Sequence, residues 1–217
     1  MRAIVFDTEV NSMEHMEPIE VAWCEFSEGE VSEMHVKRFM PEHPIDPGAA
    51  IVHGILMHDL EGEEPSSEAA SFLPSADYVI GHNVDFDCEV IDVLGAKRIC
   101  TLALAQSVWP TFKCHRLGAL MYEVFGMTDA IRTRLKESHE AGADVAMCRD
   151  LLSRLADDLA IHDLDELWAE SEEARIPKVM RFGKHKGELI SAIPSGYKTW
   201  MLKQNDIDPY LRKALTR

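Results

Sequence analysis

Asp7 and Glu9 follow a run of β-formers, Ile4-Val5-Phe6, with only Thr8 between them. Side chains alternate faces along a strand, so both carboxylates point the same way. Two anions so placed repel, and each raises the other's pKa unless a positive group sits between them. The pair alone allows two readings: a solvated strand end with both acids in water, or half of a divalent metal site. Further on, Gly81-His82-Asn83 is followed by Asp85 and Asp87, near the first turn of a predicted helix. Acids there are often only caps or dipole partners, and composition leaves the choice between these two open. A third cluster, Ser138 to Asp144, places His139 five residues before Asp144. On one continuous helix their side chains would stand roughly 140° apart. They can serve one site only if His139 lies in the loop before the helix, with Asp144 a turn inside; Gly142 makes an irregular entry reasonable. Taken alone, His139 reads as an exposed polar residue before a helix.

The segments carrying these groups follow an α/β pattern. Strands are predicted at 3–7, 19–26 and 33–39, with a polar turn at 27–30. The Pro- and Gly-rich stretch 41–55 reads as a loop passing into short helical structure, and 66–76 as a helix with Pro74 near its end. A buried strand at 77–83 leads into a helix over 85–95, with Phe86, Val90 and Val93/Leu94 on its core face and Gly95 closing it. Residues 97–106 supply another strand running into a helix. Amphipathic helices follow at 116–126 and 144–160, the latter with Val145, Cys148, Leu152 and Leu155 on one face. Three strands followed by a mixture of strands and helices point to a mixed α/β domain. Neither G-x-G-x-x-G nor a P-loop is present, so dinucleotide or NTP cradling has no support.

The 217 residues are 46% hydrophobic, enough for one full domain and a small second module. A polar stretch at 169–177 carrying Pro177 is the predicted linker between residues 1–168 and a module at 178–217. Charge is divided at the same place. From Arg175 onward ten Lys/Arg stand against three acids, net +7, whereas residues 1–174 carry twelve against thirty-five, net −23; the whole is −16. An acidic body with a basic tail points to a separate anion-binding module, or to a solvated tail with no partner. The five cysteines, Cys24, Cys88, Cys100, Cys114 and Cys148, are scattered without a C-x-x-C pair. That pattern argues against a disulfide framework or structural zinc. No secretory signal or bilayer-spanning run is legible, and the expectation is a cytoplasmic protein without membrane association.

In order along the chain, Asp7-x-Glu9, His82-Asn83-x-x-Phe86-Asp87 and His139-x-Ala141-x-x-Asp144 resemble the three motifs of the DnaQ-like (DEDDh) 3′→5′ exonucleases. The resemblance covers about residues 1–165 and implies an RNase H-like fold, a mixed five-stranded sheet flanked by helices. It selects Asp87 over Asp85. It also implies the chemistry: Asp7, Glu9, Asp87 and Asp144 hold two Mg²⁺ or Mn²⁺ ions, and His139 takes the proton from the attacking water. Segment 51–55, with His53, is similar to one those enzymes place near the bound strand. Thr8, Val10, His53, Asn83 and Phe86 are accordingly expected to contact substrate.

The tail 181–204 combines Arg181, Lys184, Lys186 and Lys198 with Phe182, Tyr197 and Trp200 around two glycines. It resembles an F-G-K-x-K-G…Y-x-x-W module that follows the nuclease domain in one branch of the family. Lys184 and Lys186 are therefore candidate phosphate contacts, with aromatic faces available to stack bases. In the alternative, Phe182, Ile193, Tyr197, Trp200 and Leu202 make the module's core, the preferred expectation for Trp200. Val10-Asn11-Ser12 departs from the Thr-Thr-Gly usual after the first motif, where the turn approaches the terminal nucleotide. Met13 and Met16 read as a wedge against a terminal base or as loop packing. Arg132, Arg134 and Lys136 read either as phosphate contacts or as a solvated loop. The expected partner is DNA with single-stranded or duplex 3′ ends. RNA trimming and a proofreading role bound to a polymerase stand as alternatives.

Overall fold

A computed structural model of the chain describes residues 1–27, 32–93 and 95–217. Most of the turn expected at 27–30, and Leu94, lie outside them. The chain divides into two compact units, Met1–Ser171 and Glu172–Arg217.

The first unit is built on a five-stranded sheet. Strands β1 (Ala3–Val10), β2 (Pro18–Glu25), β3 (Met34–Arg38), β4 (Tyr78–Gly81) and β5 (Lys97–Cys100) lie in the order β3-β2-β1-β4-β5. The β1/β2 and β2/β3 pairs are antiparallel, whereas β1/β4 and β4/β5 are parallel. Central β1 is covered on both faces, which is why Ala3 to Phe6 form an unbroken apolar run. Around the sheet and after it come α1 (Pro47–His53), α2 (Ala69–Phe72), α3 (Val84–Val90), α4 (Thr101–Val108), α5 (Leu117–Phe125), α6 (Asp129–Arg134), α7 (Ala141–Leu159) and α8 (Leu164–Ala174). Among the described residues no helix is long and apolar enough to cross a membrane.

Several boundaries differ from expectation for identifiable reasons. β1 does not stop at Asp7. Its ladder with β2 continues through Thr8↔Val21 and Glu9↔Glu20, so the two acids stand inside the sheet rather than at a solvated end. The helix expected over 66–76 shrinks to a 3₁₀ turn, Ser66–Glu68, and the single turn of α2. Leu73 is extended (φ −82°, ψ 133°), as the residue before Pro74 is biased to be. Helix α3 ends at Val90 and turns Val84, Asp87 and Cys88 inward, with Phe86 only half-buried. Residues 169–174 of the expected linker are helical, as part of α8.

Helix α7 lies on β1 and β2, and its expected apolar face is buried: Val145, Cys148, Leu152 and Leu155, joined by Met147 and Leu151. At its N-terminus a Cβ on Gly142 would come within 2.9 Å of Val36 Cγ2 on β3, so any larger residue would have to displace that half-exposed side chain for the helix entry to approach the sheet this closely. This packing anchors the helix that carries Asp144.

The second unit contains α9 (Ser195–Met201) and α10 (Pro209–Thr216). Its core is Ile176, Met180, Ile190, Ile193, Met201, Leu211, Ala214 and Leu215, with Tyr197 and Leu202 packed against it. Trp200 and Phe182 are not core residues, each being 53% exposed; for Trp200 the reason is that Met201 occupies the inward position of α9.

The burial of α7 sets a measurable contrast. Leu152→Ala removes a fully buried side chain and should lower stability by about 2–5 kcal/mol in urea unfolding. Ile51→Ala, at an 85% exposed position, should change it by less than about 0.5 kcal/mol.

Candidate active site

The sheet brings the three sequence clusters together. Asp7 and Glu9 share one face of β1, Asp87 reaches the same region from the first turn of α3, and Asp144 from the first turn of α7. His139 lies outside α7, two residues before its first residue, in a left-handed conformation (φ 69°). Its backbone amide approaches Asp144 Oδ1 at 3.4 Å. The geometric condition for the two to serve one site is thus met. Ligand atoms of Glu9, His139 and Asp144 all lie within 4.8 Å of one another. A non-glycine residue at positive φ is strained, and strain of this kind collects where a side chain must be aimed.

Thr8 sets the position of Asp87. Its backbone N–H and its hydroxyl both donate to Asp87 Oδ1, at 3.0 and 2.8 Å. With its hydroxyl proton given to that carboxylate, Thr8 orients an acid of the site. Asp85, by contrast, turns away and pairs with Arg98 at 3.2 Å.

The electrostatics are those of crowded anions. Burial, then repulsion from Asp87, Asp144 and Glu9, holds Asp7 well above the ordinary carboxylate range. Burial and then Asp144, Glu20 and Asp87 push Glu9 up to about 8. Burial raises Asp87 to about 7 against the opposing Thr8 hydrogen bonds, and burial also raises Asp144. Among the described residues no Lys or Arg forms an ion pair with any of these four acids. Closely set oxygen donors with no protein cation suit a divalent metal ion, whose charge would relieve the repulsion. The cluster is a candidate divalent-metal site.

Glu20 escaped the sequence reading. It is buried on β2 directly across from Glu9, accepts from Arg38 Nε at 2.8 Å and from the Ala141 amide at 3.0 Å. It therefore caps the first turn of α7 from a neighbouring strand and places the helix that carries Asp144. The available signal was a lone acid inside the apolar run Pro18 to Cys24.

The remaining candidates are dispersed. His53 is buried, and its Nδ1 accepts the Ile55 amide at 3.0 Å, which leaves the proton on Nε2. Burial lowers the ring's pKa, and the Val10 backbone, the polar group beside that Nε2–H, opposes the shift without meeting good hydrogen-bond geometry. Val10 is buried beyond a register irregularity after Glu9, and Asn83 is exposed at the N-cap of α3 with φ 79°. The His82 ring bonds Thr101 Oγ1 at 3.0 Å and the His115 carbonyl at 2.8 Å, and burial lowers it to about 4, so it braces β4 as a neutral ring. Arg132 pairs with Asp129 at 3.0 Å and Arg134 with Asp150 at 2.8 Å. Lys184 and Lys186 belong to the second unit.

Two outcomes follow from this geometry. The raised acids still bind protons in the folded chain at pH values where the unfolded chain has lost them. With chelator present, stability should therefore fall as pH rises from about 5 to about 8. At the upper end Mg²⁺ or Mn²⁺ should raise the Tm by several degrees, and Asp7→Asn should raise the metal-free Tm while blunting the metal response. A thermal series over pH, with and without metal, reads both. Separately, Glu20→Ala should cost about 1–3 kcal/mol and speed amide exchange in the first turn of α7, because the Ala141 N–H loses its buried acceptor.

No protein-family model matches the chain. It is 23% identical over 207 residues to exodeoxyribonuclease 10 of Escherichia coli strain K12, covering 91% of this chain and 90% of that protein. Among solved structures it superposes on exonuclease X in complex with 5′-overhanging duplex DNA, with a TM-score of 0.66 and 19% identity over 78% of this chain and 99% of that one. It also superposes on Escherichia coli exonuclease I in complex with a dT13 oligonucleotide, at 0.57 and 16% identity, over 73% of this chain and 42% of that one. The sheet and its flanking helices are the RNase H-like fold of these nucleases.

Proposed function

We propose that this chain, a DnaQ-like exonuclease similar to exodeoxyribonuclease 10 along nine-tenths of its length, is a metal-dependent 3′→5′ exodeoxyribonuclease. It would remove nucleoside monophosphates one at a time from single-stranded or duplex DNA 3′ ends. The observation that carries the reading is the convergence of Asp7, Glu9, Asp87 and Asp144, unpaired with any Lys or Arg among the described residues, beside His139. DNA as substrate is favoured by the relatives, which are named as exodeoxyribonucleases or solved with DNA.

Asp7, Glu9, Asp87 and Asp144 would hold two Mg²⁺ or Mn²⁺ ions, which when bound would supply polarisation of the scissile phosphate, a more acidic water and charge to offset the departing oxygen. His139 is assigned the proton of the attacking water; its exposed side chain adjoins Glu9 and Asp144. The water oxygen joins phosphorus, the bond from phosphorus to the 3′-oxygen of the penultimate nucleotide breaks, and that oxygen takes a proton from solvent while His139 returns its own to solvent. The 5′-monophosphate leaves, and the shortened strand keeps a 3′-hydroxyl. Thr8 and Glu20 do not touch the reacting atoms in this scheme. They hold Asp87 and the α7 entry where the charge must be met. The terminal nucleotide is assigned to Val10, His53, Asn83 and Phe86.

Matched single-stranded and duplex DNA and RNA oligonucleotides, labelled at the 5′ end, test this directly. DNA should shorten from its 3′ end as a ladder with Mg²⁺ or Mn²⁺, and not with EDTA. Asp7→Ala and Asp144→Ala should each lose at least about 10³-fold in rate while keeping the parent's circular dichroism. A ladder on RNA alone would overturn the substrate. Full activity in either variant would overturn the site.

A further inference from the structure

The second unit presents surface that its own core does not use. Val179 and Leu189 form an antiparallel bridge, the Met180 amide donates to the Glu188 carbonyl at 2.9 Å, and the Gly187 amide returns to the Met180 carbonyl at 2.8 Å. The chain between them makes a tight tip whose turns need the left-handed conformations of Gly183 (φ 69°) and Gly187 (φ 88°). The tip is pinned from below. The His185 side chain, 12% exposed, bonds Glu188 at 3.0 Å and stands edge-on to the Tyr197 ring, with centroids 4.5 Å apart. A Cβ at Gly183 would come within 3.0 Å of Tyr197 Oη, so the backbone itself rests on α9.

Because His185 turns inward, its neighbours Lys184 and Lys186 turn outward, both exposed and in no ion pair among the described residues. Tyr197 continues the row to Trp200, whose ring is tilted against it at 5.3 Å and remains 53% exposed. Phe182, at the base of the tip, is equally exposed. Elsewhere in the unit Glu172 pairs with Arg175 and Lys213, and Glu173 with Arg217, while Lys178, Lys198, Lys203 and Arg212 are in no ion pair among the described residues. The tip thus carries part of a positive excess that runs through the unit, and it is the part set among exposed rings.

Lysine is depleted in protein–protein interfaces, whereas exposed rings set among lysines are how single strands are held, with cations on phosphates and π-faces on bases. We infer that the Phe182–Gly187 tip and Trp200 form a binding site for single-stranded DNA, separate from the carboxylate cluster. The choice of DNA rests on the proposed nuclease reading, which this inference deepens. A strand held by the module stays tethered to the chain that cuts it, which raises its effective concentration between cuts.

Binding of a short 5′-fluorescein-labelled oligo-dT to the full-length chain, followed by anisotropy in EDTA across a salt series, isolates this site from cleavage. Lys184→Gln with Lys186→Gln should weaken binding about tenfold at low salt and flatten the slope of log K against log salt by about 1.4, at 0.7 per phosphate contact. Trp200→Ala should weaken binding about tenfold without changing that slope. DNA should also quench the tryptophan fluorescence of the parent more than that of the Trp200 variant. Parent-like affinity and slope in both variants would overturn the inference. So would variants that alter self-association while DNA binding stays as in the parent. A parent that trims DNA while both variants bind normally keeps the nuclease reading and removes this one. A parent that cleaves nothing yet loses DNA with the lysines does the reverse.

Discussion

Everything in the first unit is arranged around mutual repulsion. Four carboxylates, with Glu20 as a fifth close by, are held together in a partly desolvated region where burial and the neighbouring acids oppose ionisation, only partly relieved by hydrogen bonds from Thr8 and the His139 amide. Left alone, such a cluster would spread apart or stay protonated. The centre of the sheet prevents the first. Asp7 and Glu9 are carried by a strand whose ladder with β2 runs through both, whose ladder with β4 holds it up to Val5, and which packs beneath α7, so they cannot retreat without breaking the ladder.

The other two acids are brought to that strand by polar side chains that are themselves buried. Thr8 uses both its amide and its hydroxyl on Asp87, and Glu20 accepts the amide that opens α7. These bonds convert the rigidity of the sheet into the placement of two helix starts. Gly142 and the left-handed His139 belong to the same device: one lets the helix approach β3, and the other turns the chain so that a ring stands beside Asp144. Strain and repulsion at the site are offset by the apolar contacts of Val145, Leu151, Leu152 and Leu155 further along α7.

The second unit follows the opposite electrostatic logic. Its core is a small set of aliphatic residues and methionines, Glu172 and Glu173 are engaged by neighbouring cations, and Lys184 and Lys186 sit on a backbone tip braced by His185 and Tyr197. An acid-rich unit that must attract cations and a basic unit that must attract anions are thus kept in separate parts of one acidic chain, and the net charge of −16 conceals the division.

Elements with strong periodicity and acids with strong spacing were legible from the residues alone. The apolar face of α7 was legible because Val145, Cys148, Leu152 and Leu155 recur at helical intervals. The same-face relation of Asp7 and Glu9 was legible because a strand alternates. Sequence spacing could not say where β1 ends, because its last residues are held by β2, a partner encoded elsewhere. Nor could it reveal Glu20, whose role exists only in the register that sets it across from Glu9 and under Ala141. It misplaced Trp200, since helical phase within the short α9 is decided by which residue, here Met201, meets a core drawn from distant segments. Local propensity and spacing act over a few residues. Which carboxylates face one another, and which rings face water, was settled by contacts between segments far apart in the chain.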